Sequence, residues 1–130
     1  MSSAENWASA TNVIEEHRAE ANGQTIHYLR AGVGPALVLV HGYPESSLTW
    51  YRIMSELKVK FTVIAPDTRG TGQSSLADGF SIEDMADDIY ELVKSLGFKD
   101  VRLVGHDFGV QIVSAYAARL GFCVRLYSRF

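Results

Sequence analysis

Two glycines placed four residues apart, Gly105 and Gly109, enclose the segment that most constrains the fold of this chain. The segment follows the apolar run 101–104 and precedes a largely apolar stretch that ends near residue 120. We predict a buried strand before it and a helix after it, with the helix buried on more than one side. A strand turns this abruptly into a helix only where the backbone packs closely, which glycine permits. Such a turn lifts its middle residue, Asp107, into the open.

The remainder of the chain alternates short apolar runs with amphipathic ones. The dipeptide Asn22-Gly23 readily takes the positive φ angles of a tight turn, so it predicts a β-hairpin. Three later runs are apolar on both faces, which is typical of parallel strands covered by helices. The predicted strands are residues 13–21, 25–31, 36–40, 61–65 and 101–104.

Two further helices are predicted between these strands. The first carries Trp50, Ile53, Met54 and Leu57 on one stripe at helical spacing. The second begins at Ser81, whose side chain can cap it, and ends at Gly97. The fold class is therefore α/β: an initial β-hairpin, then parallel strands with flanking helices.

Composition narrows the function classes. The net charge is -3 and no run of Lys or Arg occurs, which argues against a nucleic-acid partner. Cys123 is the single cysteine, read as an inert half-buried thiol, so neither a disulfide nor a cysteine-rich metal site is expected. The first 12 residues resemble no targeting signal and are expected to be disordered. We expect a cytoplasmic protein without a membrane partner, metal or cofactor.

Asp107 has two interpretations at this stage. It is an exposed nucleophile, or its carboxylate caps the following helix. The segment His41-Gly42-Tyr43-Pro44 directly follows another predicted parallel strand, and it also has two readings. It supplies backbone N–H groups to the same site, or it is a Gly-Pro turn with His41 hydrogen-bonded beneath it. Because both segments follow parallel strands, they are expected to meet at one edge of the sheet, which favours an active site.

Three segments carry a family resemblance: HGYPESS from His41, APDTRGTGQSS from Ala65 and VGHDFG from Val104. They resemble the epoxide hydrolase branch of the α/β-hydrolases, over roughly residues 16–120. The resemblance implies that Asp107 is the nucleophile and that the backbone N–H groups of Tyr43 and Phe108 form an oxyanion hole. It implies a small apolar substrate, opened through an aspartyl alkyl-enzyme ester whose hydrolysis requires a histidine.

Other polar residues are interpreted structurally. Asp67, Arg69, Gly70 and Gly72 match a family loop, but a turn with an internal Asp–Arg hydrogen bond explains them. Asp87 and Asp88 are expected on the solvated face of the helix after Ser81. His17, His27 and His106 lack metal-ligand spacing, and His106 is expected to be packed rather than to act as a base.

The end of the chain departs from the family. Residues 121–130 contain no His, Asp or Glu and do not resemble the turn and buried strand expected there. Residues 13–130 are therefore expected to form a partial α/β-hydrolase domain, truncated or divergent after about residue 120. An exposed sheet edge and an uncovered apolar helix face would follow.

Two alternatives to an epoxide hydrolase remain at the level of sequence. A haloalkane dehalogenase uses the same aspartate nucleophile, but Tyr43 and Phe108 offer no side-chain N–H to a departing halide. A truncated, catalytically inactive fragment is the second alternative, because the water-activating histidine is missing from this sequence.

Overall fold

The protein is built on a six-stranded mixed sheet. The computed structural model describes residues 13–120 and 124–129, and for residues 124–129 it describes the backbone only. The expected disorder of residues 1–12 and the environment of Cys123 lie outside these residues. The strands are β1 (Glu15–Ala21), β2 (Gln24–Ala31), β3 (Ala36–Val40), β4 (Thr62–Pro66), β5 (Val101–His106) and β6 (Val124–Arg129). The helices are a 3-10 turn at Ser47–Trp50, α1 (Tyr51–Leu57), α2 (Ile82–Ser95) and α3 (Phe108–Leu120).

The spatial order of the strands is β1-β2-β4-β3-β5-β6. The predicted hairpin is confirmed: β1 and β2 are antiparallel, with φ of 54° at Asn22 and 75° at Gly23. Strand β2 also pairs antiparallel with β4, while β4, β3, β5 and β6 are mutually parallel. The α/β class and the change from hairpin to parallel strands are as predicted.

Both faces of the central strands are covered. Along β3, Val38 and Val40 belong to a core shared with α2 and α3, whereas Leu37 and Leu39 belong to a second core that includes Met54 of α1. All five residues of β3 are buried. This two-sided burial is the physical reason for the uninterrupted apolar sequence of β3.

Helix boundaries follow local signals. The Ser81 side chain accepts a hydrogen bond from the Asp84 N–H at the start of α2, and Gly97 has a φ of 88° just beyond its end. In the predicted stripe of α1, Met54 is fully buried, but Ile53 is 44% exposed. The helix therefore buries a narrower face than its sequence suggested.

The end of the described chain differs from expectation. Residues 124–129 form β6, which pairs parallel with β5 from Val101↔Val124 to His106↔Arg129, so β5 is not an edge strand. This strand is not predicted by the sequence, and β6 rather than β5 forms this edge of the described sheet. Helix α3 is also less enclosed than predicted, because Gln111, Ser114 and Arg119 are exposed while Ile112 and Val113 are buried. Its outward face is largely polar rather than apolar.

Candidate active site

The ends of β3 and β5 lie side by side in the sheet. Val40, the last residue of β3, is paired with Gly105 of β5. The chain adds β4 on one side of β3 and β5 on the other, which makes the carboxyl ends of β3 and β5 a topological switch point. Crevices at such points are where open α/β sheets bind ligands. The two predicted loops therefore converge as expected.

Asp107 occupies a strained turn. Its φ is 56°, a left-handed conformation that costs a residue other than glycine about 1–3 kcal/mol and that clusters at functional sites. The side chain is exposed. The Val110 N–H donates to the Asp107 carbonyl 3.0 Å away, so the main chain enters α3 immediately after the turn.

Glycine is required on both sides of Asp107. A Cβ on Gly109 would lie 2.2 Å from the carbonyl oxygen of Val40, and a Cβ on Gly105 would lie 2.6 Å from the carbonyl oxygen of Gly109. Both distances fall far inside van der Waals contact. The start of α3 thus packs directly on the end of β3, and that packing sets the position of Asp107.

Two backbone N–H groups face the Asp107 carboxylate. The Tyr43 nitrogen lies 3.2 Å from Oδ2 of Asp107. Hydrogen bonds from the N–H of Phe108 and then of Tyr43 hold the pKa of the Asp107 carboxyl below its ordinary value. The structure thus brings the Asp107 carboxylate against the backbone N–H groups of Tyr43 and Phe108, the two residues singled out with it from the sequence.

An open cavity of about 550 Å³ borders the carboxylate. Its lining is Tyr43, Asp107, Phe108, Val110 and Gln111. Val110 and Gln111 are not singled out by any motif of the sequence, although both lie within one helical turn of Asp107. Beside the Asp107 carboxylate and Gln111, the lining residues are aromatic or aliphatic.

Two nearby histidines, His41 and His106, are not part of this lining. The Nδ1 atom of His106 lies 3.3 Å from Oε1 of Glu45, and its ring makes an edge contact with Trp50. His41 is buried beneath the loop and is hydrogen-bonded to the Gly42 carbonyl and to Thr68. His41 is hydrogen-bonded beneath the turn, as one of its two readings has it, whereas the His106 side chain is only half-buried.

The loop after β4 is organised around buried Asp67. Its carboxylate accepts hydrogen bonds from the backbone N–H groups of Ser47 at 2.7 Å and Gln73 at 2.9 Å, and its Oδ2 lies 2.7 Å from Nδ1 of His27. Burial acts to raise the pKa of the Asp67 carboxyl, but the N–H groups of Gln73 and Ser47 outweigh it and the pKa is lowered. Through these hydrogen bonds Asp67 links His27 of the hairpin, Ser47 of the 3-10 turn and Gln73 of its own loop.

The expected Asp–Arg hydrogen bond inside that loop is wrong. Arg69 instead pairs with Asp88 of α2 through two contacts of 2.7 Å, and Asn22 donates to the same carboxylate at 3.0 Å. Asp88 is 1% exposed, so it is not the solvated charge expected from the sequence. Its neighbour Asp87 is half-exposed and pairs with Arg119 at 3.3 Å.

Within residues 13–120 and 124–129, no group of three or more His, Cys, Asp or Glu side chains is arranged to hold a metal ion. Among the helices of that same part of the chain, none has the length and apolar character needed to cross a membrane.

Comparison with known proteins identifies the family. A model of the α/β-hydrolase fold matches residues 35–121. A soluble epoxide hydrolase from Corynebacterium sp. (strain C12) is 44% identical over 105 residues, which cover 80% of this chain and 37% of that protein. A fluoroacetate dehalogenase from Burkholderia sp. is 39% identical over 102 residues, covering 74% of this chain and 34% of that protein. The solved structure of the epoxide hydrolase CorEH without ligand superposes with a TM-score of 0.87 at 42% identity, covering 89% of this chain and 42% of that one.

The chain belongs to the α/β-hydrolase fold family, and its described elements match an N-terminal portion of that fold. Epoxide hydrolases are among its most similar relatives in both sequence and structure. The chain spans 37% of the length of the Corynebacterium enzyme and 34% of that of the dehalogenase.

Proposed function

We propose that this chain supplies the nucleophile and oxyanion hole of an epoxide hydrolase, which opens an epoxide to a diol through an ester on Asp107. The observation that carries the proposal is the placement of the Asp107 carboxylate. Two backbone N–H groups hydrogen-bond it while it lines a cavity with apolar walls. The similarity to epoxide hydrolases supports the same reaction class.

A carboxylate suits the first step. An aspartate with an ordinary pKa of about 3.9 is ionised at neutral pH, so it attacks without a base to activate it. One Asp107 oxygen forms a C–O bond to an epoxide carbon, the ring C–O bond breaks, and the released alkoxide takes a proton from water. The product is a hydroxyalkyl ester of Asp107. Strain in the three-membered ring makes this displacement favourable.

The second step uses the same N–H groups. Water adds to the carboxyl carbon of the ester, and negative charge develops on an oxygen that the N–H groups of Tyr43 and Phe108 hold. Collapse of this intermediate releases the diol and regenerates the carboxylate. A base must deprotonate the water, and this sequence contains no His, Asp or Glu after Asp107. His106 lies against Glu45 and not along the cavity.

We therefore expect this chain alone to accumulate the ester. The cavity favours a small terminal epoxide with an apolar substituent, which can lie against Tyr43, Phe108 and Val110. Gln111 offers the remaining polar contact on that surface.

A haloalkane dehalogenase is the second candidate, favoured by the identity to the Burkholderia enzyme. It shares the attack by an aspartate, but the leaving group is a halide that requires stabilisation. Tyr43 and Phe108 have no side-chain N–H that could hold the halide. In this lining, the side-chain N–H comes from the amide of Gln111. Epoxide opening needs no halide site, so it fits these residues better.

Intact-mass measurement after incubation with styrene oxide, and separately with a bromoalkane, tests the proposal. Epoxide opening adds the whole mass of the epoxide, whereas haloalkane attack adds only the alkyl group and releases bromide. We expect the epoxide adduct to form at least ten times faster. A faster alkyl adduct with stoichiometric bromide would assign the site to dehalogenation instead, and an unmodified mass in both arms would indicate an inert fragment.

A matched pair of variants links the adduct to the site. Asp107→Asn removes the carboxylate and should abolish modification. Asp78→Asn alters another exposed aspartate outside the cavity lining and should leave it unchanged.

A further inference from the structure

We propose that His41 is a positioning residue of the oxyanion hole: its ring clamps the Gly42–Tyr43 peptide so that the Tyr43 N–H points at Asp107. This inference deepens the proposed function and rests on it, since it concerns the donor that the proposed reaction uses. The ring itself is not part of the cavity lining.

The clamp acts on one peptide unit. The carbonyl oxygen of Gly42 lies 2.8 Å from Nδ1 of His41 and accepts the Glu45 N–H at 2.9 Å. The Tyr43 N–H belongs to the same planar unit and lies 3.2 Å from Oδ2 of Asp107. In a trans peptide the C=O and N–H point in opposite directions. Holding the carbonyl toward His41 therefore aims the N–H toward the nucleophile.

The hydrogen bonds fix which ring nitrogen carries the proton. The Thr68 backbone N–H lies 3.2 Å from Nε2 of His41. A backbone N–H only donates, so Nε2 must accept and carry no proton. The Gly42 carbonyl only accepts, so Nδ1 must donate to it. The ring is thus the Nδ1–H tautomer. The Thr71 hydroxyl, 3.2 Å from Nε2, is compatible with this assignment because a hydroxyl can also donate.

The loop after β4 anchors the clamp. The Thr71 hydroxyl donates to the Thr68 carbonyl at 2.7 Å, which holds the turn whose Thr68 N–H reaches His41. His41 is 2% exposed and Thr68 is 5% exposed, so water has little access to either group. The family loop after β4 thereby contributes to the active site through His41, without touching the cavity.

Space around the peptide is equally restricted. A Cβ on Gly42 would lie 2.6 Å from Cβ and 2.8 Å from Oδ2 of Asp107. The peptide can approach the carboxylate only because Gly42 has no side chain. A peptide this close to a charged oxygen must be oriented correctly, because a flipped unit would direct a carbonyl at the carboxylate.

Nitrogen-15 NMR of the histidine rings in the wild-type chain tests the tautomer without any substitution. We expect His41 to show a protonated Nδ1 and a bare Nε2 at neutral pH. An Nε2-protonated ring, or a ring charged at both nitrogens, would place a proton against the Thr68 N–H and would overturn the proposal.

Two variants then test the two hydrogen bonds of the ring separately. In His41→Asn, the side-chain amide can still donate to the Gly42 carbonyl. In His41→Gln, the longer side chain can accept from Thr68 but loses the Nδ1 donor. The pKa of Asp107, followed by carbon-13 NMR of its carboxyl, should rise toward the ordinary aspartate value in His41→Gln and stay near wild type in His41→Asn.

Urea unfolding of the wild type and both variants, measured in parallel, shows whether a change in the Asp107 pKa comes with a general loss of stability. A merely structural role for His41 predicts that both folded variants leave the Asp107 pKa unchanged, and that result contradicts the proposal. If a variant does not fold, the wild-type tautomer still decides. If no epoxide adduct forms but the tautomer and the pKa response are as predicted, the epoxide reaction is refuted and the role of His41 stands. If the adduct forms but the tautomer or the pKa response differs from the prediction, the role of His41 alone is refuted.

Discussion

The backbone nitrogen of Tyr43 lies 3.2 Å from Oδ2 of Asp107, although 64 residues separate them in the chain. The contact exists because β3 and β5 are neighbours in the sheet, so the loops that leave their carboxyl ends meet. It joins a backbone donor to a carboxylate in a geometry that favours the ionised form.

The lowered pKa of Asp107 predicts the pH dependence of alkylation. Only the carboxylate attacks an epoxide, and the N–H groups of Phe108 and Tyr43 favour the carboxylate. The adduct rate should therefore begin to decline at a lower pH than that of an aspartate with the ordinary pKa of about 3.9. A short peptide with one aspartate serves as the control, with rates corrected for loss of epoxide in acid. A rate that declines in step with that peptide would contradict the shift.

Gly42→Ala should impair the site by a steric effect. The added Cβ would meet Cβ of Asp107 at 2.6 Å, so either the loop or the nucleophile must move. A displacement of about 1 Å at a reacting group can cost roughly 100-fold in rate, and we expect a fall in the adduct rate of at least tenfold.

Gly79→Ala is the matched control for this substitution. A Cβ there approaches only the Asp84 carboxylate, at 3.5 Å, which is ordinary contact. Its adduct rate should equal that of the wild type. Equal rates in Gly42→Ala and wild type would show that the close approach of the loop is dispensable.

Asp88→Asn should destabilise the fold. Arg69 and Asp88 are 6% and 1% exposed, and removing one charge leaves the other buried without its partner. Breaking a buried pair in this way costs about 3–5 kcal/mol, which urea unfolding can measure. Asp87→Asn is the matched control, because its pair with Arg119 is partly exposed and is worth about 0–1 kcal/mol. Similar losses in both variants would mean that the buried pair has no special role.

Much of the fold was predictable because its signals are local. The turn at Asn22-Gly23, the cap at Ser81 and the doubly apolar run of β3 each depend on neighbouring residues, and each was identified correctly. The grouping of Asp107 and Tyr43 was predictable for a different reason. Parallel strands place their carboxyl ends at the same edge of the sheet, so two motifs after two such strands must meet.

The errors concern partners that are distant in sequence. The helical pattern predicts Asp88 on a solvated face, yet Asp88 lies three residues after Met85 and four before Leu92, which are both buried. That spacing was the available signal, but the arginine that neutralises Asp88 is 19 residues away in a loop. Strand β6 was missed because the family pattern was absent, although Val124, Leu126 and Tyr127 favour a strand.

The modified residue itself is the most direct test of the account. The chain should be incubated with styrene oxide, digested, and its peptides sequenced by tandem mass spectrometry. We predict one hydroxyalkyl ester, located on Asp107, with no modification in Asp107→Asn. Modification elsewhere in the wild type, such as on Cys123 or a histidine, with Asp107 intact, would contradict the claim that Asp107 is the nucleophile.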